Sequence, residues 1–277
     1  MGTAILPPLE LQQLHERFER DGYCVCRGLF AQEEVAELLG HFMDLHAAGP
    51  IPGVFAPVPL TDSGGDILRA YPRMLHPHRV SAVARRYLLH PRVLGVLWEL
   101  FGEEPWAAQS MLYFKPPSAR GQALHQDDYY LKTSPGRCIA AWTALDPADE
   151  ANGGMLIVPG TQGIPILCPH EADPRLSFTR EEVDVPAGLQ PEAVRLQPGD
   201  VLFFNGSVIH GSYPNSSADR FRRAFICHYV SRSTQHIGRH YHPLLRPDGS
   251  ELRVAESTWG GPCGSEFTAS PDAPPQG

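Results

Sequence analysis

The sequence predicts an all-β sandwich or jelly roll with flanking α-helices. Three observations predict it. From Ala107 onward, about seven short apolar runs are each bounded by Pro, Gly, Asn or Asp, the pattern of short strands joined by turns. Before that point, apolar residues recur at helical spacing instead. Twenty-six glycines and 28 prolines among 277 residues supply turn positions along the chain, well above the usual share of about 12% for the two together. Helices first and strands afterwards place the helices on the outside of a β core.

The elements follow in order. Leu11, Leu14 and Phe18 form one apolar face, which predicts a helix over Leu11–Arg20 closed by Asp21-Gly22. Tyr23–Val25 reads as a short strand. Glu33–Ala47 carries the stripe Val35, Leu38, Leu39, Phe42 and Met43, although its start lacks a good capping residue. Residues 48–66 are rich in Pro and Gly and read as a loop, long enough to suggest a lid. Helices over Val80–Leu89 and Pro91–Phe101 come next, the second with Pro at its first position and Gly102 just past its end. Strands are expected at Gln109–Lys115, Leu124–Tyr130, Cys138–Leu145, Met155–Val158, Ala193–Leu196, Val201–Phe204 and Phe221–Val230. Residues 164–192 interrupt them as an irregular insertion and a second candidate lid. We expect one domain over 1–265, with helical support at 9–101 and the β core at 107–230. The small, polar, Pro-rich tail at 266–277 has the composition of a disordered segment.

Charge and composition narrow the function. The formal net charge is -8 and there is no basic stripe, which argues against nucleic acid. No apolar run approaches the ~20 residues of a membrane span, and the N-terminus lacks a basic-then-apolar leader. A cytoplasmic protein with a small-molecule partner is the expectation, with monomer as the default state. Six cysteines at 24, 26, 138, 168, 227 and 263 contain no C-x-x-C pair, so six reduced, mostly buried thiols are expected. No G-x-S-x-G is present, which removes the nucleophile elbow of a serine hydrolase. Gly64-Gly65, Gly153-Gly154 and Gly260-Gly261 lack the spacing of a phosphate loop and read as turns.

One constellation carries chemistry. His125 and Asp127 lie two residues apart in a predicted strand, so both side chains leave one face and can grip one ion. His210, after the strand Val201–Phe204 and before a turn at Gly211-Ser212, supplies a third ligand. Two histidines and one carboxylate on the same side of a metal make the facial triad of non-haem Fe(II) oxygenases and leave positions open for a bidentate co-substrate and O2. Arg222 sits in the predicted strand that follows and shares a face with Ala224, Ile226 and His228. A guanidinium pointing into a β core is costly unless it meets an anion, and its fork suits a carboxylate. A dicarboxylate held by iron at one end therefore has an anchor for the other.

These residues stand within a longer pattern. F-E-R-D-G-Y at 18–23, M-L-Y-F-K-P-P at 111–117, H-Q-D at 125–127, A-W-T-A at 141–144, N-G-G-M-L-I-V-P-G-T at 152–161, G-D-V-L-F-F at 199–204, H-G-S-Y-P-N-S-S at 210–217 and F-R-R-A at 221–224 occur in this order. The whole resembles the phytanoyl-CoA dioxygenase family of Fe(II)/2-oxoglutarate-dependent oxygenases over about residues 10–265. The resemblance implies a double-stranded β-helix, a cupin-like jelly roll. It implies iron on His125, Asp127 and His210, and the far carboxylate of 2-oxoglutarate on Arg222 with Ser212 assisting. Gln109, Met111 and Tyr113, two apart on one strand face, and Trp142 would line the co-substrate pocket. The implied reaction is hydroxylation of an aliphatic C–H of a small molecule with release of succinate and CO2. The family usually carries a histidine after P-G-T, where this chain has Gln162. Halogenating members replace the metal carboxylate with a small residue, so Asp127 favours hydroxylation.

Tyr129 and Tyr130 follow the H-Q-D motif, and strand alternation would aim one of them at substrate. Arg69 and Arg73 are candidates to meet an acidic substrate. His236, His240 and His242 form an H-x-x-x-H-x-H series that resembles a zinc site but lacks a nearby carboxylate or cysteine, so a polar loop is expected. His76 and His78 are expected to serve loop or capping roles. A non-catalytic metabolite sensor, or a cupin-type metalloenzyme, on the same scaffold is the alternative class.

Overall fold

The computed structural model describes residues 6–257, and the helices expected for the first hundred residues are present in it. The chain opens with α1 (Pro8–Asp21), β1 (Tyr23–Cys26) and α2 (Gln32–Ala48). Then come α3 (Ile67–Ala70), β2 (Met74–Leu75), α4 (Ala82–Leu88) and α5 (Pro91–Phe101). The β half holds β3 (Pro105–Tyr113), β4 (Gln122–His125), α6 (Asp128–Leu131), β5 (Ile139–Ala144) and β6 (Met155–Ile157). It continues with β7 (His170–Glu171), β8 (Glu181–Glu182), β9 (Glu192–Val194), β10 (Val201–Asn205), β11 (His210–Ser212) and β12 (Ala224–Ser231). The last strands are β13 (His236–Ile237), β14 (Leu244–Leu245), β15 (Glu251–Leu252) and β16 (Ala255–Glu256).

Helix ends follow local chemistry. Gly22 closes α1 with φ 80°, and its N–H donates to Phe18 O. A side chain there would strain that φ and drive into Val208. α2 lacks a capping side chain at Ala31, as the sequence suggested, but the Glu34 carboxylate accepts from the Ala31 N–H at 2.8 Å and secures the start. α5 begins at Pro91 and stops at Gly102 with φ 68°.

Two antiparallel sheets face each other. The larger has the order β1-β10-β5-β12-β3-β14-β15, with β2 on the side of β3; the smaller is β4-β11-β6-β9. Alternation along the large sheet divides its side chains. Met111, Trp142, Leu202, Phe204 and Ile226 point toward the small sheet and meet Met155, Ile157 and Val194. Their neighbours Leu112, Ala141, Phe203 and Phe225 point the other way, onto Leu38, Phe42, Leu88 and Leu97 of the helices. Each large apolar side chain removed from water there contributes about 1.5–3 kcal/mol. The result is the expected jelly roll with helices on its outer face, and the facing sides of the two sheets carry the site.

Four expectations need correction. The strand expected over Leu124–Tyr130 ends at His125, and Asp128–Leu131 forms the one-turn helix α6. The strand expected from Phe221 begins at Ala224, so Arg222 precedes it. The insertion 164–192 is not wholly irregular, because β7 and β8 pair within it. Cys168 is disulfide-bonded, whereas Cys24, Cys26, Cys138 and Cys227 are free and buried; the expectation of six reduced thiols fails at Cys168. The proposed tail at 266–277, Gly260-Gly261 and Cys263 lie outside the described residues. Among the described residues, no helix is long and apolar enough to cross a membrane.

Candidate metal centre

β4 and β11 lie side by side with His125 and His210 as direct register partners, and the two imidazole rings stand 4.2 Å apart, centroid to centroid. Each ring is oriented by the same local device. His125 Nδ1–H donates to Ala123 O at 2.8 Å, and His210 Nδ1–H donates to Val208 O at 2.9 Å. With Nδ1 committed as donor, Nε2 carries the free lone pair. Asp127 Oδ1 lies 3.5 Å from His125 Nε2 and 3.6 Å from His210 Nε2. All three ligand atoms fall within 4.8 Å of one another. The Gln122 amide donates to His125 Nε2 at 3.1 Å from the same side.

Asp127 reaches this point from a helical turn and not from the strand. Its backbone has φ -62° and ψ -35°, and its carbonyl accepts from the N–H groups of Tyr130 and Leu131. Its second oxygen, Oδ2, accepts from His228 Nε2–H at 3.0 Å. Burial works to raise this carboxyl, but the neighbouring His210 and His228 and the hydrogen bond from His228 outweigh it and hold it well below the ordinary carboxylate range. Burial, with His125 adding, pushes His210 down to about 4. The set is two histidine rings facing one carboxylate oxygen.

The far end of the same space is cationic. Ser212 follows His210 by two residues on β11, so the two side chains leave the same face. Arg222 is 2% exposed. Its Nε–H donates to Gly153 O at 2.8 Å, its guanidinium lies over the Trp142 ring at 5.2 Å and the Tyr113 ring at 6.0 Å, and Nη1 is buried without a partner. Burial lowers its pKa to about 10, so it remains a cation. Lys115, 3% exposed, donates from Nζ to Ser212 Oγ at 2.7 Å.

The other predicted residues separate into two groups. Met111 and Trp142 sit in the inter-sheet core, and Gln109 lies opposite His228 in register. Tyr113 OH accepts from Arg73 Nη1 at 2.7 Å. Arg73 also stacks on Phe178 of the insertion at 5.2 Å, which brings that segment to the pocket. Tyr130 packs its ring 6.1 Å from His125, and Tyr129 meets Tyr130 edge-on at 5.1 Å. Both stand on α6, so strand alternation does not apply to them. Arg69 is spent on its own loop, donating to Ser63 O. Gln162, in place of the family histidine, donates to Glu19 O at 2.8 Å and ties α1 to the β half. Among the described residues, His125, Asp127 and His210 form the one cluster of three or more candidate ligands, so His236, His240 and His242 do not make a second. His78 is buried and bonded to Ser110 Oγ at 2.7 Å. Two residues that contact this site went unread, and both continue series noted in the sequence. Lys115 is the next odd position after 109, 111 and 113, and His228 closes the series 222, 224 and 226.

Two imidazole nitrogens with one carboxylate oxygen match the donor set of non-haem Fe(II). The buried, unpartnered Nη1 of Arg222 matches the carboxylate of an anionic ligand. The comparisons with known proteins agree: the profile of the phytanoyl-CoA dioxygenase family, PhyH, matches residues 18–224. The chain belongs to the phytanoyl-CoA dioxygenase family. Within the family it is 32% identical over 157 residues to a probable phytanoyl-CoA dioxygenase of Caenorhabditis elegans, covering 52% of this chain and 50% of that protein. It is 25% identical over 241 residues to the peroxisomal phytanoyl-CoA dioxygenase of Rattus norvegicus, covering 83% of this chain and 70% of that one. The match thus spans about half the length of the nematode relative. A crystal structure of the epimerase SnoN with Fe3+, alpha ketoglutarate and nogalamycin RO shares the fold, with a TM-score of 0.67, 23% identity and coverage of 83% of this chain and 86% of that one.

Proposed function

We propose that this family member is an Fe(II)- and 2-oxoglutarate-dependent dioxygenase that uses O2 to hydroxylate an aliphatic C–H of a small-molecule substrate, releasing succinate and CO2. The observation that carries the reading is a two-histidine, one-carboxylate donor set and, on the same inner face, a buried guanidinium whose Nη1 has no partner.

His125, Asp127 and His210 would hold the iron, and Arg222 with Ser212 would take the far carboxylate of 2-oxoglutarate. Bound there, iron and its 2-oxo acid supply O2 activation and the oxidising equivalents. The chain's own residues do the rest. His228 holds Asp127 Oδ2, which leaves Oδ1 for the metal. Buried Trp142 and Met111, with half-buried Tyr113 and Gln109 beside them, would form the wall of the co-substrate space. On the open side, Arg73, Tyr129 and Tyr130 are the substrate-facing groups, with Arg73 suited to an anionic or polar substituent.

Both candidate lids are anchored at this side. Arg120 donates to Pro174 O at 3.0 Å and to Asp66 Oδ2 at 2.7 Å, so a single guanidinium joins 164–192 to the loop after residue 48. Ser177 Oγ accepts from Ala123 N–H at 3.0 Å, beside the ligand-bearing end of β4. These segments are placed to set substrate choice.

The decisive experiment is anaerobic titration with Fe(II) and 2-oxoglutarate, followed by succinate release across a metabolite panel. A weak visible charge-transfer band and substrate-dependent succinate are expected, and both should vanish in Asp127→Ala. Absence of the band at saturating iron and 2-oxoglutarate refutes the reading.

A further inference from the structure

Arg73 is half-buried, and among the described residues no carboxylate pairs with it. Other half-buried arginines are matched: Arg92 holds Glu34, Arg120 holds Asp66 and Arg223 holds Asp146. Arg73 instead donates from Nη1 to the neutral Tyr113 hydroxyl at 2.7 Å, and among the described residues it makes no other hydrogen bond. A guanidinium carries five N–H donors and stays charged. Taken partly out of water without a counter-ion, it is retained at a cost.

The surroundings hold this group in place beside the metal centre. Its Cζ lies 5.2 Å from the ring centres of both Tyr113 and Phe178, and those rings stand 6.2 Å from each other, so the planar group rests against a pair of aromatic rings. The Tyr113 ring also lies 6.0 Å from Arg222 Cζ. One ring thus serves two guanidiniums, and with Arg222 given to the co-substrate, Arg73 needs an anion of its own. Tyr130 ties this region to the metal ligands, with its ring 6.1 Å from that of His125. Burial pushes the Tyr130 and Tyr241 phenols up, and each also feels Asp127, which raises it, and Arg73, which lowers it. Both hydroxyls therefore stand within reach of the ligand carboxylate and of the guanidinium. Further negative charge is close by. Tyr130 OH donates to Glu181 Oε2 at 3.5 Å, and Asp128 acts on Tyr241. A dianionic phosphate would be repelled more strongly there than a carboxylate, whose two oxygens match the guanidinium fork.

We propose that Arg73 is the substrate-binding residue that sets specificity: the substrate is a carboxylic acid, its anion is taken by the free N–H donors of Arg73, and its body runs along Tyr130 and Tyr241 toward the metal centre. The proposal rests on the dioxygenase reading above and names the substrate class that reading leaves open. A carboxylate anchored at one fixed point makes the distance from acid group to iron select the carbon presented for oxidation. Chain length then matters as much as charge.

The test uses the Fe(II)-loaded full chain, saturated with 2-oxoglutarate under anaerobic conditions. It is titrated with straight-chain carboxylates from butyrate to decanoate, the matching primary amides and the matching alkyl phosphates, with calorimetry and the shift of the charge-transfer band as readouts. At least one acid should bind roughly 10-fold or more tightly than its amide and its phosphate, with a maximum at one chain length. In Arg73→Gln the acid should lose this advantage over its amide. Arg73→Lys, which keeps the charge and loses the fork, should fall between, and it carries the comparison if the Gln variant does not fold. Acids that bind no better than their amides to the wild type overturn the proposal. Equal weakening of acid and amide in the variants overturns it too, because it shows that Arg73 only supports the fold. Alkyl phosphates that bind more tightly than the acids overturn the carboxylate assignment. A wild type that gives no charge-transfer band with Fe(II) and 2-oxoglutarate overturns the dioxygenase reading itself, a failure visible before any acid is added.

Discussion

At the metal end of the pocket the chain supplies its own partners: both Nδ1 atoms are bonded to carbonyls two residues back, and Asp127 Oδ2 is bonded to His228. At the far end it does not. Arg222 leaves Nη1 orphaned and Lys115 has only a serine hydroxyl. The first end has its orientation settled in the folded chain, so a metal meets ligands already aimed. The second keeps a buried guanidinium, beside a lysine that burial and Arg222 hold well below its ordinary pKa, and the cost is offset only when an anion arrives, so ligand binding there should also stabilise the fold. The difference shows which end grips by geometry and which by charge.

Two measurements bear on that contrast, and a third concerns the fold around it. The largest effect is expected from Arg222→Met, which empties the charged end. The Kd for 2-oxoglutarate should rise by about 30-fold or more, corresponding to ~2 kcal/mol at least, with Fe(II) affinity held within a factor of two by calorimetry. An equal fall in Fe(II) affinity would mean that the two ends are not separable. His228→Ala attacks the other end. It frees Asp127 Oδ2 and should lower Fe(II) affinity by about 10- to 100-fold, measured by competition with a chelating dye. Unaltered Fe(II) affinity would remove His228 from the account of how the carboxylate is aimed.

A third expectation concerns pH, and it arises from neither end. Burial pushes His76 and His78 down to about 3 each. Both stay neutral in the folded chain, whereas the unfolded chain takes up protons near the ordinary value of about 6.5. Their contribution is therefore intact above about pH 6.5 and is lost progressively as pH falls toward about 3. The slope is about 1.4 kcal/mol per pH unit for each imidazole. A falling urea midpoint between pH 7 and 4 is expected, with a shallower slope in His78→Asn. A midpoint that stays level over that range would contradict the assignment.

Legibility in the sequence followed the range of the interactions involved. α5 was readable to the residue, because Pro91, the apolar stripe and Gly102 are local signals. Asp127 was read as a ligand for a partly mistaken reason. A residue two beyond His125 on a strand would share its face, but here a helical turn delivers the carboxylate instead. Arg222 was likewise placed in a strand that begins two residues later. In both cases the residue type revealed the chemistry while the backbone path stayed hidden, since turn and strand compete closely over so few residues. Cys168 escaped because spacing says nothing about which cysteines approach in space.

What residue identity and order determined alone was the class of the fold, the donor set His125, Asp127 and His210, and the need of a core arginine for an anion. Turn residues, apolar periods and ligand chemistry are properties of short stretches and need no third dimension. What the tertiary structure decided was the pairing. His228 meets Asp127 across 101 positions, and Lys115 meets Ser212 across 97. Those contacts exist because antiparallel strands from distant parts of the chain are set side by side, and no local signal encodes which distant strand will be the neighbour.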